Sequence, residues 1–413
     1  MKKKLVLFGA GNIGRSFIGQ LFSRAGYEVV FIDVNDQLIQ ALNTHHQYRV
    51  IIKRNDVPDE TLWVKNVRGV HGKNQEAVAE ELADASFAAT AVGKNALPYL
   101  IPSLSKGLVR RRQKLGAVAL DIIMAENVRH IADYVRQELI QILPPDYQID
   151  ELVGLIETSI GKMVPIMKAE DVQQDPLWIF AEEYNQLILD KQAFKNPIPD
   201  IPGLAPKENM AAFVDRKLFI HNLGHAATAY FGYQYNPDFV YIYEPLAVPE
   251  LLQKVRDCML QSAAALNATY PQDLPLPELR EHTEDLLQRF QNKALGDTIF
   301  RVGRDLPRKL DKEDRLIGAM LLAKQTGNPC DLIAQAVLAA CQFHARDEQG
   351  QLFPADQTFL EQDSPAGLEH ILTTVCHLSP TSELEKEVID EVLRQSSDGM
   401  GIVTTGRKKP DKY

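Results

Sequence analysis

Short, uninterrupted runs of apolar residues recur through the first 160 residues of the chain. The first run, Lys4–Phe8, is followed by a glycine-rich turn, a helical pattern and a second run at Val29–Ile32. Further runs lie at Phe87–Val92 and Ala117–Ile123, each after a helical stretch. Continuous rather than alternating apolarity is typical of strands that are buried on both faces. The pattern therefore predicts an α/β domain with a mostly parallel sheet through at least residue 160.

The pattern changes at a proline-rich segment, Asn196–Pro206. Four prolines in eleven residues exclude a helix or a central strand there, so we expect this segment to connect two domains. Beyond it the apolar spacing is helical over residues 211–231, 248–268, 277–291, 312–326, 330–345 and 366–376. We therefore expect a mainly α-helical second domain. The predicted boundaries are 1–195 for the α/β domain, 196–395 for the helical domain and 396–413 for a flexible tail.

The first turn has glycines at a fixed spacing, Gly9-Ala10-Gly11-Asn12-Ile13-Gly14, between a strand and a helix. In this context the glycines allow a tight turn, close approach to a pyrophosphate and packing of the helix on the strand. Asp33 ends the next apolar run, where a carboxylate accepts hydrogen bonds from ribose hydroxyls and repels a 2′-phosphate. The motif predicts a Rossmann domain that binds NAD rather than NADP. FAD-binding proteins share the fingerprint, and a glycine turn of another α/β protein is the simpler alternative.

Composition narrows the function. The net charge of −10 argues against a nucleic-acid partner, although a small anionic ligand needs only a few local cations. Four cysteines with no Cys-x-x-Cys pair, and no tight His/Cys/Asp cluster, give no sign of a metal site and are typical of a reducing cytoplasm. The sequence has no run of 18 apolar residues, so we expect no membrane span. We expect a cytoplasmic monomer or small homo-oligomer without metal, membrane or nucleic-acid partners.

A second candidate site lies in the helical half. At about 100° per residue, Asn222 lies about 140° and His225 about 80° from Lys217 around a regular helix, so all three can address one side. A lysine with a lowered pKa can act as a base on a hydroxyl, and an amide can donate to the resulting oxyanion. Taken singly, each residue has an ordinary explanation: a solvated lysine, a capping asparagine or a core histidine. His221 shares the helical row, so spacing alone leaves open which histidine acts.

Several segments in order along residues 1–330 together resemble the polyol-specific long-chain dehydrogenase family. They are Phe8–Arg15 with Phe17–Gly19, Thr90–Gly93, Glu126-Asn127, Asp190-Lys191 with Phe194-Lys195, Ile201–Gly203, Ala212–Phe219 with Asn222, Gly224-His225 and Thr228–Tyr230, Arg301–Arg304, Arg308–Leu310 and Asp314–Leu316. Lys217, Asn222 and His225 fit the family's Lys-x4-Asn-x2-His pattern. The resemblance implies a Rossmann domain and a mostly helical domain with the active site in a cleft. It also implies metal-free, NAD-dependent interconversion of mannitol 1-phosphate and fructose 6-phosphate.

The resemblance also implies residue roles. Lys217 is the general base, Asn222 helps hold the oxyanion, and His225 positions the lysine and the substrate. Val92 and Asn127 are expected in the cofactor site.

Substrate contacts are expected from Asp190 and from the basic cluster Arg301, Arg304, Arg308 and Lys309. A sugar phosphate needs charge-assisted hydrogen bonds of the kind that such a cluster provides. A structural ion-pair network is an equally good interpretation of these cations, and Asp190 could instead cap the following turn.

One segment departs from the family pattern. Where relatives commonly have Asp-Arg-Ile-Val-Pro, this chain has Gly161-Lys162-Met163-Val164-Pro165, and Glu157 stands about where some relatives have an asparagine that assists the oxyanion. This departure leaves an unphosphorylated polyol or a hexuronate as alternative substrates. An NAD-binding regulator without turnover is the alternative from another class, which the presence of Lys217 disfavours.

Overall fold

The computed structural model describes residues 3–55, 57–126, 128–165, 167 and 169–399. Its contacts divide the chain into two compact units. The first unit runs to Val214 and includes Ala294–Gly296, and the second contains Asp215–Lys293 and continues from Asp297. The Asn196–Pro206 segment, which we expected to connect the domains, thus lies within the first unit.

The strands found among the described residues lie in the first unit. They are β1 (Lys4–Phe8), β2 (Glu28–Asp33), β3 (Gln47–Ile52), β4 (Glu60–Lys65), β5 (Val67–His71), β6 (Phe87–Thr90), β7 (Leu120–Met124), β8 (Val153–Ser159), β9 (Ile179–Ala181), β10 (Leu187–Asp190) and β11 (Leu204–Lys207). Within the described residues, β11-β10-β8-β7-β6-β1-β2-β5 form one sheet and β4-β3-β9 form a smaller one. Strands β5, β2, β1, β6, β7 and β8 all pair in parallel, so the predicted parallel sheet is confirmed.

The strand order places a topological switch beside β1. From β1 the chain continues to β2 on one side, whereas β6 pairs with the other side. In such sheets ligands bind at the carboxyl ends of the strands where the order reverses. The glycine turn after β1 and the loop after β6 both lie at this edge.

Both faces of the central strand are buried. Leu5 and Leu7 pack into one apolar cluster, whereas Val6 and Phe8 pack into another on the opposite face. Because successive side chains of a strand point to opposite faces, a strand between two cores must be apolar throughout. This is the physical reason for the uninterrupted apolar run.

The edges of the sheets differ from the simple pattern. Strands β3, β4 and β9 form the small sheet, and β10 is antiparallel to β8. Strand β11 lies at the end of the proline-rich segment and is the last strand of the large sheet. Proline is tolerated there because an edge strand has one side without a hydrogen-bonded neighbour.

Helices accompany the first sheet. They are α1 (Gln20–Arg24), α2 (Asp36–His45), α3 (Gln75–Ala83), α4 (Leu97–Leu115), α5 (Ile131–Ile142), α6 (Ile149–Leu152), α7 (Ala169–Gln174) and α8 (Met210–Arg216), with a π-helical turn over Gly14–Gly19 and a 3₁₀ turn over Lys94–Ala96.

The second unit is mainly helical, as predicted. Its helices are α9 (Leu223–Tyr235), α10 (Tyr243–Leu246), α11 (Pro249–Thr269), α12 (Leu276–Phe290), α13 (Ile299–Gly303), α14 (Leu306–Lys309), α15 (Ile317–Gln325), α16 (Asp331–Cys341), α17 (Pro354–Thr358), α18 (Leu368–His370) and α19 (Glu383–Gly399). Shorter turns lie at Lys217–Asn222, Lys293–Leu295, Phe359–Asp363, Ser364–Ala366 and Ile371–Val375. Helix α19 contains residues 396–399 of the predicted tail, and the rest of that tail lies outside the described residues. None of the described helices is both long and apolar enough to cross a membrane.

Candidate active site

The three glycines of the first turn have different surroundings. Gly9 has φ +94, and a Cβ on it would lie 2.5 Å from the carbonyl oxygen of Ala91. A Cβ on Gly14 would overlap the carbonyl oxygen of Gly9. Gly11 is exposed, and a Cβ there would have no atom within 4 Å. Two glycines therefore serve the turn itself, whereas the third leaves open space beside the turn, as close approach of a pyrophosphate would require.

Asp33 is bonded to the same turn. Its Oδ2 accepts from the Ala10 N–H at 2.8 Å, and its Oδ1 accepts from the Asn35 N–H at 3.0 Å. A carboxylate oxygen has two lone pairs, so each retains capacity for a ribose hydroxyl. The acidic residue, the exposed Asn12 and the open Gly11 together fit NAD.

Arg15 holds the other side of the Ala10 peptide. Its buried guanidinium donates to the Ala10 carbonyl at 2.7 Å and to the Pro176 carbonyl at 3.1 Å. No local pattern in the sequence indicates this contact, because the partner carbonyl at residue 176 is distant along the chain. Asp33 and Arg15 thus hold the backbone of Ala10 from two sides.

The loop after β6 is fixed by a buried carboxylate. Glu126 accepts from the Thr90 hydroxyl at 2.6 Å and from the Val92 N–H at 3.0 Å. Burial raises the pKa of Glu126, and these hydrogen bonds oppose the rise. Val92 contacts the glycine turn, as the position of its side chain 3.2 Å from a Cβ built on Gly9 indicates. Asn127, also predicted in the cofactor site, lies outside the described residues.

The lysine helix is not a regular α-helix. Lys217–Asn222 forms a π-helical turn that continues into α9, and the Leu223 N–H donates to the Leu218 carbonyl five residues earlier. A π turn takes in one extra residue, which removes about 100° of rotation between positions on either side of it. The expected separation of Asn222 from Lys217 falls from about 140° to about 40°, and that of His225 from about 80° to about 20°. Regular-helix geometry therefore does not apply to this segment, and the π turn is expected to bring the three residues closer to one side of the helix.

Lys217 lies in a positive environment. It is partly buried, and burial followed by the charge of Arg315 lowers its pKa to about 8, with Asp314 opposing. Arg315 is itself buried and donates from Nε to Asp314 at 2.6 Å. A lysine with this pKa is a competent base near neutral pH.

His225 is held on two sides. Its Nε2 lies 3.1 Å from Asp297 Oδ2, and its ring stacks on Phe290 with centroids 4.9 Å apart. Burial, followed by nearby cations of which Arg301 is first, holds the pKa of His225 well below its usual range. The neighbouring His221 is buried and packs edge-on against Phe290. His225 is the more exposed of the two histidines, which favours it as the one that faces a substrate.

The predicted substrate residues behave differently from one another. Asp190 Oδ1 accepts from the Gln192 N–H at 3.0 Å, so its carboxylate caps the turn after β10. The buried Lys309 donates to the carbonyls of Val302, at 2.6 Å, and Arg304. The contact of Asp190 is that of the structural alternative, whereas these contacts of Lys309 are to backbone carbonyls and not those of an ion-pair network.

The two predicted arginines also differ. Arg308 pairs with Asp305 at 2.5 Å and with Asp314 at 3.2 Å. Arg304 instead lies against two aromatic rings, with its guanidinium carbon 5.6 Å and 5.3 Å from the ring centres of Phe300 and Phe353.

The segment that departs from the family pattern has a structural explanation. Glu157 Oε1 accepts from the Ala132 N–H in the first turn of α5 at 3.0 Å, where a negative charge is favourable. Lys162 is buried and donates to the carbonyls of Glu182 at 3.0 Å and Tyr184 at 2.6 Å. Both side chains therefore stabilise the first unit.

Sequence reasoning gave no role to Asp297, Asp314 or Arg315. The last two belong to a segment that resembles the family, but their effect on Lys217 depends on long-range packing. Among the described residues, no group of three His, Cys, Asp or Glu side chains could hold a metal ion.

Comparison with known proteins gives the family. The Rossmann-domain model of mannitol dehydrogenase matches residues 3–203, and the C-terminal-domain model matches residues 209–397. Mannitol 2-dehydrogenase of Pseudomonas fluorescens, solved with NAD and D-mannitol, has a TM-score of 0.68 at 14% identity over 97% of this chain and 95% of that chain.

Two further structures are more distant. A 2-dehydropantoate 2-reductase of Geobacter metallireducens has a TM-score of 0.48 at 16% identity over 82% of this chain and 99% of that chain. An octopine dehydrogenase has a TM-score of 0.48 at 12% identity over 99% of this chain and 100% of that chain. At these identities the structural likenesses concern the fold. The two matched family domains, in contrast, together span nearly the whole chain, and the protein therefore belongs to the mannitol dehydrogenase family.

Proposed function

We propose that this protein is a mannitol-1-phosphate 5-dehydrogenase, which interconverts D-mannitol 1-phosphate and D-fructose 6-phosphate. The coarser statement follows from the family: the protein is an NAD-dependent oxidoreductase that acts on a polyol. The proposal adds that the substrate is phosphorylated and assigns roles to individual residues.

Lys217 supplies the base in the proposed mechanism. When bound, NAD would supply the acceptor for the hydride on the carbinol carbon, C5 of mannitol 1-phosphate. The hydroxyl on that carbon must lose a proton, and the neutral amine of Lys217 takes it. In the reverse direction the ammonium returns this proton to the ketone oxygen. The lowered pKa supports this role because both forms of the lysine are populated near pH 8.

Asn222 and His225 complete the set. The Asn222 amide donates to the oxygen as negative charge develops on it, which stabilises the transition state. His225 is neutral and fixes the orientation of Lys217 and of the substrate. Alignment of the three residues by the π-helical turn supports their joint action on one carbinol group.

The proposal that the substrate is phosphorylated rests on the pair of arginines Arg301 and Arg304. Burial and then the charge of Arg304 lower the pKa of Arg301, so the two cations lie near each other. Arg301 pairs with Asp297, whereas the described residues place no carboxylate on Arg304. Like charges at short range favour a bound anion, and a phosphate offers bidentate acceptors to a guanidinium.

The same arginines stand near the lysine helix. Tyr230 on α9 donates its hydroxyl proton to the carbonyl of Gly303 at 2.9 Å, which fixes the residue before Arg304 to this helix. A substrate phosphate on Arg304 could therefore belong to a molecule whose carbinol group lies at Lys217.

A hexuronate is the second candidate substrate, because its carboxylate would satisfy the same arginines. A substrate panel separates the candidates: oxidation of NADH is followed with fructose 6-phosphate, fructose, tagaturonate and fructuronate. We expect kcat/KM for fructose 6-phosphate to exceed that for fructose by at least about 10-fold, the gain of one charge-assisted hydrogen bond. Equal kcat/KM values for fructose 6-phosphate and fructose would contradict a phosphorylated substrate. A preference for tagaturonate or fructuronate would favour a hexuronate. No turnover of any of the four compounds would favour an NAD-binding regulator without catalytic activity.

Two variants test the residue roles. Arg304→Met should raise KM for fructose 6-phosphate by about 10- to 100-fold, the equivalent of 1.5–3 kcal/mol, and leave turnover of fructose nearly unchanged. Lys217→Ala should abolish turnover in both directions while NADH still binds. Near-normal activity of Lys217→Ala would overturn the mechanism.

A further inference from the structure

A buried carboxylate stands behind His225. Asp297 precedes helix α13 and is 3% exposed. Its Oδ2 lies 3.1 Å from His225 Nε2, and its Oδ1 pairs with Arg301. We propose that Asp297 is a positioning residue that fixes the tautomer and the ring plane of His225. This inference rests on the proposed function, which gives His225 its work beside Lys217.

The tautomer follows from the chemistry of the two groups. A carboxylate can only accept a hydrogen bond, so the ring nitrogen that faces it must carry the proton. Arg301 pairs with the other oxygen of Asp297, as is typical of a carboxylate. A neutral imidazole has one proton, so a protonated Nε2 leaves Nδ1 with a lone pair. His225 is then an acceptor at Nδ1.

The ring plane is fixed by contacts from two directions. Phe290 stacks on the face of the His225 ring, with the planes inclined by 25°. Asp297 holds the edge of the ring, and His221 lies across it at 84° with centroids 6.3 Å apart. Stacking alone would allow the ring to flip by about 180° about the Cβ–Cγ bond, which would exchange Nδ1 with Cδ2 and Nε2 with Cε1. The hydrogen bond to Asp297 removes that freedom.

The fixed tautomer and ring plane of His225 matter because Nδ1 must accept a hydrogen bond. The lysine ammonium and the substrate hydroxyl are both hydrogen-bond donors. A histidine that positions either of them must present a lone pair. The opposite tautomer would present N–H and repel the ammonium, so an unfixed ring would spend part of its time in an unproductive state.

Asp297→Asn tests the inference, because the amide can donate to Nε2 and so favour the opposite tautomer. We expect kcat to fall by about 10- to 100-fold, as when an orienting partner of a functional histidine is lost. The affinity for NADH should change little. Asp363→Asn is the matched control, since Asp363 Oδ1 lies 3.0 Å from the Nε2 of His370, and its kcat should be unchanged.

A double-mutant cycle separates positioning from a structural role. If Asp297 acts through His225, Asp297→Asn should lower kcat in the native background and cause no further fall in a His225→Ala background. An equal fall in both backgrounds would overturn the inference, because Asp297 would then act independently of the histidine.

A measurement on the native protein covers the case in which Asp297→Asn does not fold. The ¹⁵N chemical shifts of the His225 ring, assigned with His225→Gln, should show a protonated Nε2 and an unprotonated Nδ1. The reverse assignment would overturn the inference. An active Lys217→Ala would instead overturn the proposed function and leave the tautomer result standing, so the two failures are distinguishable.

Discussion

Arg315 should set the pH at which the enzyme works. It is the second cause of the low pKa of Lys217, after burial, and its guanidinium is buried nearby. Replacement by methionine keeps most of the volume and removes the charge. Asp314, which opposes the shift, then acts on Lys217 without its partner. Both changes raise the pKa of Lys217.

The size of the effect is bounded by the structure. The pKa of Lys217 is lowered from 10.5 to about 8, a difference of about 2.5 units or about 3.4 kcal/mol. At pH 7 about one lysine in eleven is neutral with a pKa of 8, and about one in three thousand with a pKa of 10.5. Burial remains in Arg315→Met, so its rate of polyol oxidation at pH 7 should fall by less than about 300-fold.

The assay is kcat/KM for polyol oxidation as a function of pH, which reports the base in the free enzyme. In the native protein the rate should rise through about pH 8, because the base must be neutral, and ketose reduction should fall through the same range. Arg315→Met should move the rising limb to higher pH and recover rate there. Arg315→Lys should keep it near its native position.

Asp314→Asn provides a check of opposite sign, because it removes the charge that raises the pKa of Lys217. In this variant the rising limb of the pH profile of kcat/KM should lie at lower pH than in the native protein. If neither variant moves the limb, or both move it in the same direction, the electrostatic account of Lys217 is wrong.

Three further predictions concern the first unit. Gly11→Ala should have the same Tm as the native protein but bind NADH more weakly in a fluorescence titration. The added Cβ would meet no protein atom and would enter only the space proposed for the cofactor. Gly14→Ala should lose about 1–3 kcal/mol of stability in urea unfolding, since its Cβ overlaps Gly9, and native stability would contradict the packing role. Lys162→Met should cost about 1–3 kcal/mol in the same assay, because two buried carbonyls lose their donor, while the KM for substrate stays native.

The parallel sheet could be predicted because its strands are buried on both faces. Such strands read as uninterrupted apolar runs, and the runs at β1, β2, β6 and β7 all correspond to observed strands. The small sheet could not be predicted in the same way. Strand β3 alternates buried and partly buried residues, and β4 is largely exposed. Short, half-exposed strands differ too little from loops for the apolar pattern to identify them.

The candidate site divides along the same physical line. Gly9, Gly11, Gly14 and Asp33 have roles set by local backbone geometry, so their spacing in the sequence was informative. Asp297, by contrast, lies 72 residues from His225 and meets it only through the packing of helices. No local pattern distinguishes such an aspartate from one that caps a helix.

The lysine helix shows why correct residues can come with incorrect geometry. The residue types of Lys217, Asn222 and His225 are visible in the sequence, but their angular separation depends on hydrogen bonds that no spacing rule contains. A regular α-helix would spread the three side chains over about 140° of its surface. The π turn reduces this spread by taking in one residue, and π turns also lie at Phe359–Asp363 and Ile371–Val375, where the sequence predicts no site residue. An irregular turn persists only where surrounding contacts hold it, and here α9 continues from it into a buried helix. The residue types could therefore be predicted from the sequence, whereas their spacing around the helix could not.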